Sequence, residues 1–286
     1  MNIRKNVPLD EYTTFRIGGD ADLFAEPQSV EELREVYAGA DGPVLIIGNG
    51  SNLLVSDAGF QGLAIHTAAL SDVYVGGGTI IAQCGAKLSK LANTAFHDGM
   101  GGLEFAQGIP GTVGGAVFMN AGAYGGEIAQ TLQSTTYMDK KGELHTLSAA
   151  EHDFSYRHSV FYEHPDWVIV ESTFKLKHCD EEEIRQRMEG FAARRRATQP
   201  LLQPSAGSVF KRPEGEGHFA GQLIEEAGLK GYRVGGAEVS AKHAGFIINS
   251  GGATFDDVKS LIAVIQKTVR STAGVWLEPE IRIIGE

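Results

Sequence analysis

Two glycine-rich segments carry the first residues whose types and spacing point to chemistry. Gly48-Asn49-Gly50-Ser51-Asn52-Leu53 follows an apolar run from Pro43 to Ile47, and Ile109-Pro110-Gly111-Thr112-Val113-Gly114-Gly115-Ala116 lies within a longer stretch, Gly101 to Gly126, that glycine interrupts repeatedly. Small residues let backbone N–H groups come close to a pyrophosphate, making an anion site without charged side chains. Tight turns use the same residues. Neither segment has the Gly-x-Gly-x-x-Gly spacing that opens a long helix, nor the Gly-Lys-Ser/Thr ending of a P-loop, so a dinucleotide would be held in another way. Beyond the loops, Arg157 read on its own is a surface arginine. Ser208 in Ala-Gly-Ser is a turn residue, and Glu278 and Glu280 are two acids at alternate positions. Lys211, Arg212 and Arg233 are cations that fit either phosphate binding or solvated surface charge.

Composition narrows what these residues can serve. A net charge of −11 opposes wholesale nucleic-acid binding, which needs clustered Lys and Arg to release counterions. Anionic small ligands would instead be held locally. Cys84 and Cys179 stand far apart and in no Cys/His cluster, so two reduced thiols and no metal site are expected. The N-terminal residues lack a secretory apolar stretch, and no run approaches the ~18 apolar residues of a membrane span. A cytoplasmic protein with no membrane contact is the expectation.

The elements that must position these residues read as α+β. Ser29 and Glu32 form a capping-box pattern ahead of Val30, Leu33, Val36 and Tyr37 at helical spacing. Val73–Val75 and Thr79–Gln83 flank three glycines as a hairpin, and Leu88, Leu91, Ala92, Ala95 and Phe96 describe a helix that stops at Gly99. Trp167 to Leu176 is strand-like. Glu181 to Arg196 reads as a helix whose Arg194-Arg195-Arg196 suits a solvated, dipole-complementing C-terminus. Gln199-Pro-Leu-Leu-Gln-Pro204 breaks the pattern as a linker. A further helix follows Thr254, and Val275 to Ile283 alternates as one strand with Glu278 and Glu280 on the same face unless the strand bulges.

Taken together, Ile47 to Val55, Gly102 to Ala116 and Met119-Asn-Ala-Gly-Ala-Tyr-Gly125 resemble the UDP-N-acetylenolpyruvoylglucosamine reductases, within the vanillyl-alcohol-oxidase-type FAD-binding group. The resemblance continues through Ser155-Tyr-Arg-His-Ser159, Pro204 to Pro213, Gly231 to Glu238 and Leu277-Glu-Pro-Glu-Ile-Arg282. It covers nearly the whole chain in order.

The resemblance implies a two-lobed FAD-binding domain and a C-terminal α+β substrate domain, which we place at 1–66, 67–200 and 201–274, with 275–286 returning to the FAD region. It implies FAD and NADPH as cofactors, and UDP-N-acetylglucosamine enolpyruvate as the substrate reduced to UDP-N-acetylmuramate in peptidoglycan synthesis. By position, Arg157, Ser208 and Glu280 match the catalytic residues, with hydride from flavin N5 and a proton from Ser208. Gly48 to Leu53, Ile109 to Thr112 and Gly114 to Ala116 match the FAD cradle. No inserted tyrosine loop is present, so the chain resembles the shorter branch. An FAD-dependent sugar or alcohol oxidase and a non-catalytic flavin-binding protein are the rival readings; protein partners are not implied.

Overall fold

The computed structural model describes residues 2–213 and 219–285. The chain divides into two compact units, each discontinuous in sequence. One comprises Met1–Arg4, Leu23–Asn49 and Gly62–Arg195; the other comprises Lys5–Asp22, Gly50–Gln61 and Arg196–Glu286. The first glycine loop is thus shared out by the chain path, with Gly48 and Asn49 in one unit and Gly50 to Leu53 in the other.

In the first unit, five antiparallel strands lie in the order Leu144–Ser148, Leu132–Met138, Val168–Lys175, Thr79–Gln83, Val73–Gly76. Gly77 and Gly78, both at positive φ, turn the last hairpin as their spacing predicts. Helix α1 (Val30–Ala38) and helix α2 (Leu88–His97) bury the apolar stripes read from the sequence, and α2 packs Leu88, Leu91, Ala92 and Ala95 into one core with Ile80, Val170 and Phe174. The α1 cap is only half of a box: Ser29 Oγ accepts from Glu32 N, but the Glu32 carboxylate takes the Gln28 N–H instead. The glycine-broken region yields one short helix, α3 (Val113–Phe118). Strand Val44–Ile47 runs parallel to Phe60–His66, in register from Val44 opposite Leu63 to Ile47 opposite His66, and delivers Gly48 at its C-terminal end. Helix α4 (Glu181–Thr198) buries Ile184 and Met188.

The second unit holds a sheet in the order Ser205–Ser208, Phe246–Asn249, Ala237–Val239, Arg233–Val234. Helix α5 (Ala220–Glu226) and helix α6 (Phe255–Ala273) cover it, burying Leu223, Ile224, Val258, Leu261, Ile262, Ile265 and Val269 with Ile247. A full capping box starts α6: Thr254 Oγ1 accepts from Asp257 N at 3.1 Å, and Asp257 Oδ2 accepts from Thr254 N at 3.0 Å. The bond from Thr254 N, joined by one from Gly236 N, holds the Asp257 carboxyl below its ordinary range.

The strand expected over Val275 to Ile283 is a correction. Only Arg282–Ile284 is a strand, paired parallel with Leu53–Val55, while residues 278–280 pair with a different partner, 209–211. Pro279 has no N–H to continue a ladder, and the run is split between two neighbours. Leu277 and Ile281 remain buried, but the two acids part company. Glu278 is exposed and Glu280 half-buried.

Among the described residues no helix is long and apolar enough to cross a membrane. Asp139, Glu143 and His145 converge at one hairpin, but the Asp139 carboxylate already accepts from Lys141 N, Glu143 N and His145, which accounts for the cluster as turn chemistry.

A buried histidine makes the first unit acid-sensitive. His152 is fully buried, with Nδ1 2.8 Å from Ser148 O and Nε2 2.9 Å from Thr135 Oγ1. Burial holds it below its ordinary value of 6.5. The unfolded chain therefore binds a proton that the folded one refuses, so stability is full above the unfolded pKa and falls as pH drops through it. We expect the melting temperature to decline between about pH 8 and about pH 5.5, and His152→Gln to flatten that decline, read by thermal melting across pH. An unchanged slope in the variant would assign the acid sensitivity elsewhere.

Candidate functional site

The first unit brings its two glycine segments together. A Cβ on Gly48 would fall 2.2 Å from Thr112 Oγ1, so only glycine allows this approach, and Asn49 Nδ2 donates to Pro110 O at 3.0 Å. The far side of the second loop is fastened to residues 84–88: Val113 N to Ala86 O and Gly114 N to Cys84 O at 2.8 Å, and Leu88 N to Gly111 O at 3.0 Å. A Cβ on Gly114 would sit 2.9 Å from Cys84 Cβ. The glycines thus sort by purpose. Gly48 and Gly114 serve protein packing, whereas a Cβ on Gly115 would meet only Thr112 Oγ1, at 3.7 Å, leaving that face open. The N–H groups of Gly48 and Asn49 donate to no backbone carbonyl among the described residues. Burial pushes the Cys84 thiol, behind the loop, up to about 12, which disfavours the reactive thiolate.

Arg157 lies in the same unit, at the tip of a turn in which Ser155 and His158 exchange both backbone hydrogen bonds. Its φ is +56°, a left-handed conformation that arginine rarely takes. One guanidinium nitrogen donates to Gly122 O at 2.9 Å, and the group lies over the Tyr156 ring.

In the second unit, Gly50 permits another close approach: its Cβ would meet Tyr12 O at 2.0 Å, and its carbonyl accepts from Thr14 N. Ser51 follows it, and Leu53 begins the strand that pairs with Arg282. Asn52, expected in the cofactor cradle, brackets the C-terminal segment: its Nδ2 donates to Glu280 O at 3.2 Å and its carbonyl accepts from Arg282 N at 2.9 Å. Ser208 ends an edge strand whose register slips at Gly207, a residue at φ +78°. One residue on, Val209 O accepts from Glu280 N at 2.7 Å. Glu280 therefore faces Val209, one residue beyond Ser208. Glu278, by contrast, is turned outward onto Lys211, its Oε1 2.5 Å from Nζ and its side chain 67% exposed. Arg233 pairs with Glu238 at 2.5 Å, and Arg212 lies over the Phe219 ring.

Comparison with known proteins decides the family. Residues 199–284 match the family model for the C-terminal domain of UDP-N-acetylenolpyruvoylglucosamine reductase, and residues 21–148 match a model described as an FAD binding domain. A protein of the former name from Latilactobacillus sakei is 48% identical over 100% of this chain and 94% of its own length; one from Lactococcus lactis is 49% identical over 99% and 95%. This chain belongs to the UDP-N-acetylenolpyruvoylglucosamine reductase family. The crystal structure of the reductase from Thermus caldophilus agrees in fold, with a TM-score of 0.85 at 35% identity, over 99% of this chain and 100% of that one. In this family member the FAD-binding match spans both glycine segments, and the C-terminal match spans Ser208, Lys211, Arg212, Arg233 and Glu280. Arg157 falls between the two.

The residues of the first unit fit an FAD. Besides the open face at Gly115 and the unspent N–H groups, three polar atoms of this unit's described residues are buried without a hydrogen-bond partner: Gln107 Oε1, the Tyr124 hydroxyl and Arg195 Nε. Arg195 corrects the solvated-cluster reading of Arg194 to Arg196. Its Nη1 donates to Gly108 O, and burial draws its pKa down. Sequence reasoning missed it because an Arg run at a helix end has an adequate explanation in the dipole; only the fold aims one member at the loop. Gly48→Ala should displace the Thr112 loop and weaken FAD binding by about tenfold or more, measured by titrating FAD into apoprotein. Thr112→Ala in the same chain removes the obstructing Oγ1 and should restore part of that loss.

Proposed function

We propose that the chain reduces UDP-N-acetylglucosamine enolpyruvate to UDP-N-acetylmuramate with FAD and NADPH, in cytoplasmic synthesis of peptidoglycan precursors. The observation that carries this reading is the pairing of Glu280 N with Val209 O, one residue beyond Ser208, in a chain matched end to end by reductases of that name. FAD, when bound, supplies hydride transfer from NADPH to the methylene carbon of the enolpyruvyl group. Gly48 to Leu53, Ile109 to Thr112 and Gly114 to Ala116 would hold it. Within that list, the open face at Gly115 supports direct cofactor contact, and the bonds made by Asn52 support a scaffolding part.

Hydride addition drives negative charge towards the substrate carboxylate, and a fixed cation must already face it. Arg157 has that role in our reading, gripping the carboxylate through two N–H groups. The carbon beside the carboxylate then needs one proton. Ser208 is the donor: the hydroxyl is weakly acidic, but the acceptor carbon is strongly basic and placement supplies the rest. Glu280, in its protonated form, is assigned a donated hydrogen bond to the same developing charge, and the outward turn of Glu278 onto Lys211 favours Glu280 over its neighbour. Lys211, Arg212 and Arg233 would serve the diphosphate of the substrate or the phosphates of NADPH. The ion pairs of Lys211 and Arg233 are surface pairs of small worth, readily exchanged for a phosphate. The cofactor lobes at 1–66 and 67–200, the substrate domain at 201–274 and the returning segment 275–286 belong to the same proposal.

The test follows anaerobic flavin bleaching by NADPH and reoxidation by the enolpyruvyl substrate. Ser208→Ala should bleach as the wild type does and reoxidise about a hundredfold to about ten-thousandfold more slowly. Wild-type flavin that bleaches and never reoxidises with this substrate would overturn the assigned reaction. Oxygen consumption with an alcohol, without bleaching by NADPH, would establish the oxidase reading instead.

A further inference from the structure

The turn that carries Arg157 is held from outside by a residue that belongs to none of the sites above. Asn120 is 1% exposed and sits at φ +43°, a conformation that asparagine tolerates better than most residues. Its Nδ2 donates to Ser155 O at 3.0 Å, and its Oδ1 accepts from Ala129 N at 3.0 Å. Ser155 is the first residue of the Arg157 turn, and its carbonyl is also the acceptor that closes the turn from His158 N. Two more bonds run between the same segments: Ser159 Oγ to Phe118 O at 2.5 Å and Arg157 Nη2 to Gly122 O.

Arg157 occupies the third position of this four-residue turn, where a positive φ normally calls for glycine or asparagine. A non-glycine residue there stores backbone strain, and persists only where its surroundings over-determine it. The anchor at Ser155 is what keeps the turn from relaxing. Asn120 suits the task because one amide both donates to the turn and accepts from the backbone that follows its own loop. With neither bond replaceable by water at this burial, losing Asn120 frees the turn at its first residue.

We infer that Asn120 is a positioning residue that fixes Arg157 for the substrate carboxylate, an inference that rests on the role given to Arg157 above. Asn120→Gly retains the left-handed backbone and removes both side-chain bonds; Asn120→Asp retains the acceptor for Ala129 N–H and sets an oxygen against Ser155 O. The holoenzyme of each variant, and of Arg157→Lys alone and combined with Asn120→Gly, is followed through both half-reactions, with FAD content and melting temperature recorded. Reoxidation by the enolpyruvyl substrate should slow by about a hundredfold in Asn120→Gly, the scale of an ångström-sized misplacement, while bleaching by NADPH stays within about twofold. In the Arg157→Lys background the same substitution should add little further slowing, although its cost in melting temperature should persist.

Additive slowing in the two backgrounds, or parallel loss of both half-reactions together with FAD, would make Asn120 a structural residue only and overturn the inference. If Asn120→Gly fails to fold, Asn120→Asp carries the same comparison. Unaltered reoxidation in Arg157→Lys alone would instead fault the role of Arg157, and separates that failure from a failure of Asn120.

Discussion

One backbone hydrogen bond, from Glu280 N to Val209 O at 2.7 Å, fixes where the C-terminal segment lies in its unit. It sets the register of residues 278–280 against 209–211, and register in an extended pair determines which side chain lands where. A slip of one residue would set Pro279 or Ile281 in place of Glu280 opposite Val209. The bond is secured from both ends: Lys211 N donates to Glu278 O, and Asn52 fastens the Glu280 and Arg282 backbone. Gly207 at φ +78° absorbs the bulge that lets Ser208 end its strand there.

The other unit depends on the absence of atoms. At Gly48 the missing Cβ is where Thr112 Oγ1 must be, and at Gly114 it is where Cys84 packs. Once these two contacts bind the loops to each other and to the strand behind, the remaining small residues can face outward. Local anion binding by backbone groups also explains how a chain of net charge −11 can hold phosphate-bearing molecules.

Much of the fold was legible because periodicity reports burial directly. The stripes of α2 and α6, the glycine hairpin after Val73 and the cap at Thr254 needed only local rules. The final strand was misread because alternation of Val275, Leu277, Ile281 and Ile283 says nothing about how many partners a run will meet. Likewise the glycines announced close approach but not its object, since glycine packs against a threonine hydroxyl and against a ligand for the same steric reason. The roles proposed for Arg157, Ser208 and Glu280 rest on the ordered resemblance. Asn120 and Arg195 were invisible to it, since one touches only backbone groups through its side chain and the other sits in a charged run with an ordinary explanation.

The parallel pairing of Arg282–Ile284 with Leu53–Val55 has a temporal side. Asn52 and Glu280 are 228 positions apart, and contacts of such separation close the largest loops and form late. Helices and hairpins of both units can assemble beforehand, so the chain can be compact and largely ordered while Glu280 is still absent from its place. On the role proposed for Glu280, catalytic competence is then the last property acquired, and a protein bearing reactive reducing equivalents is not armed until its most distant segments have met.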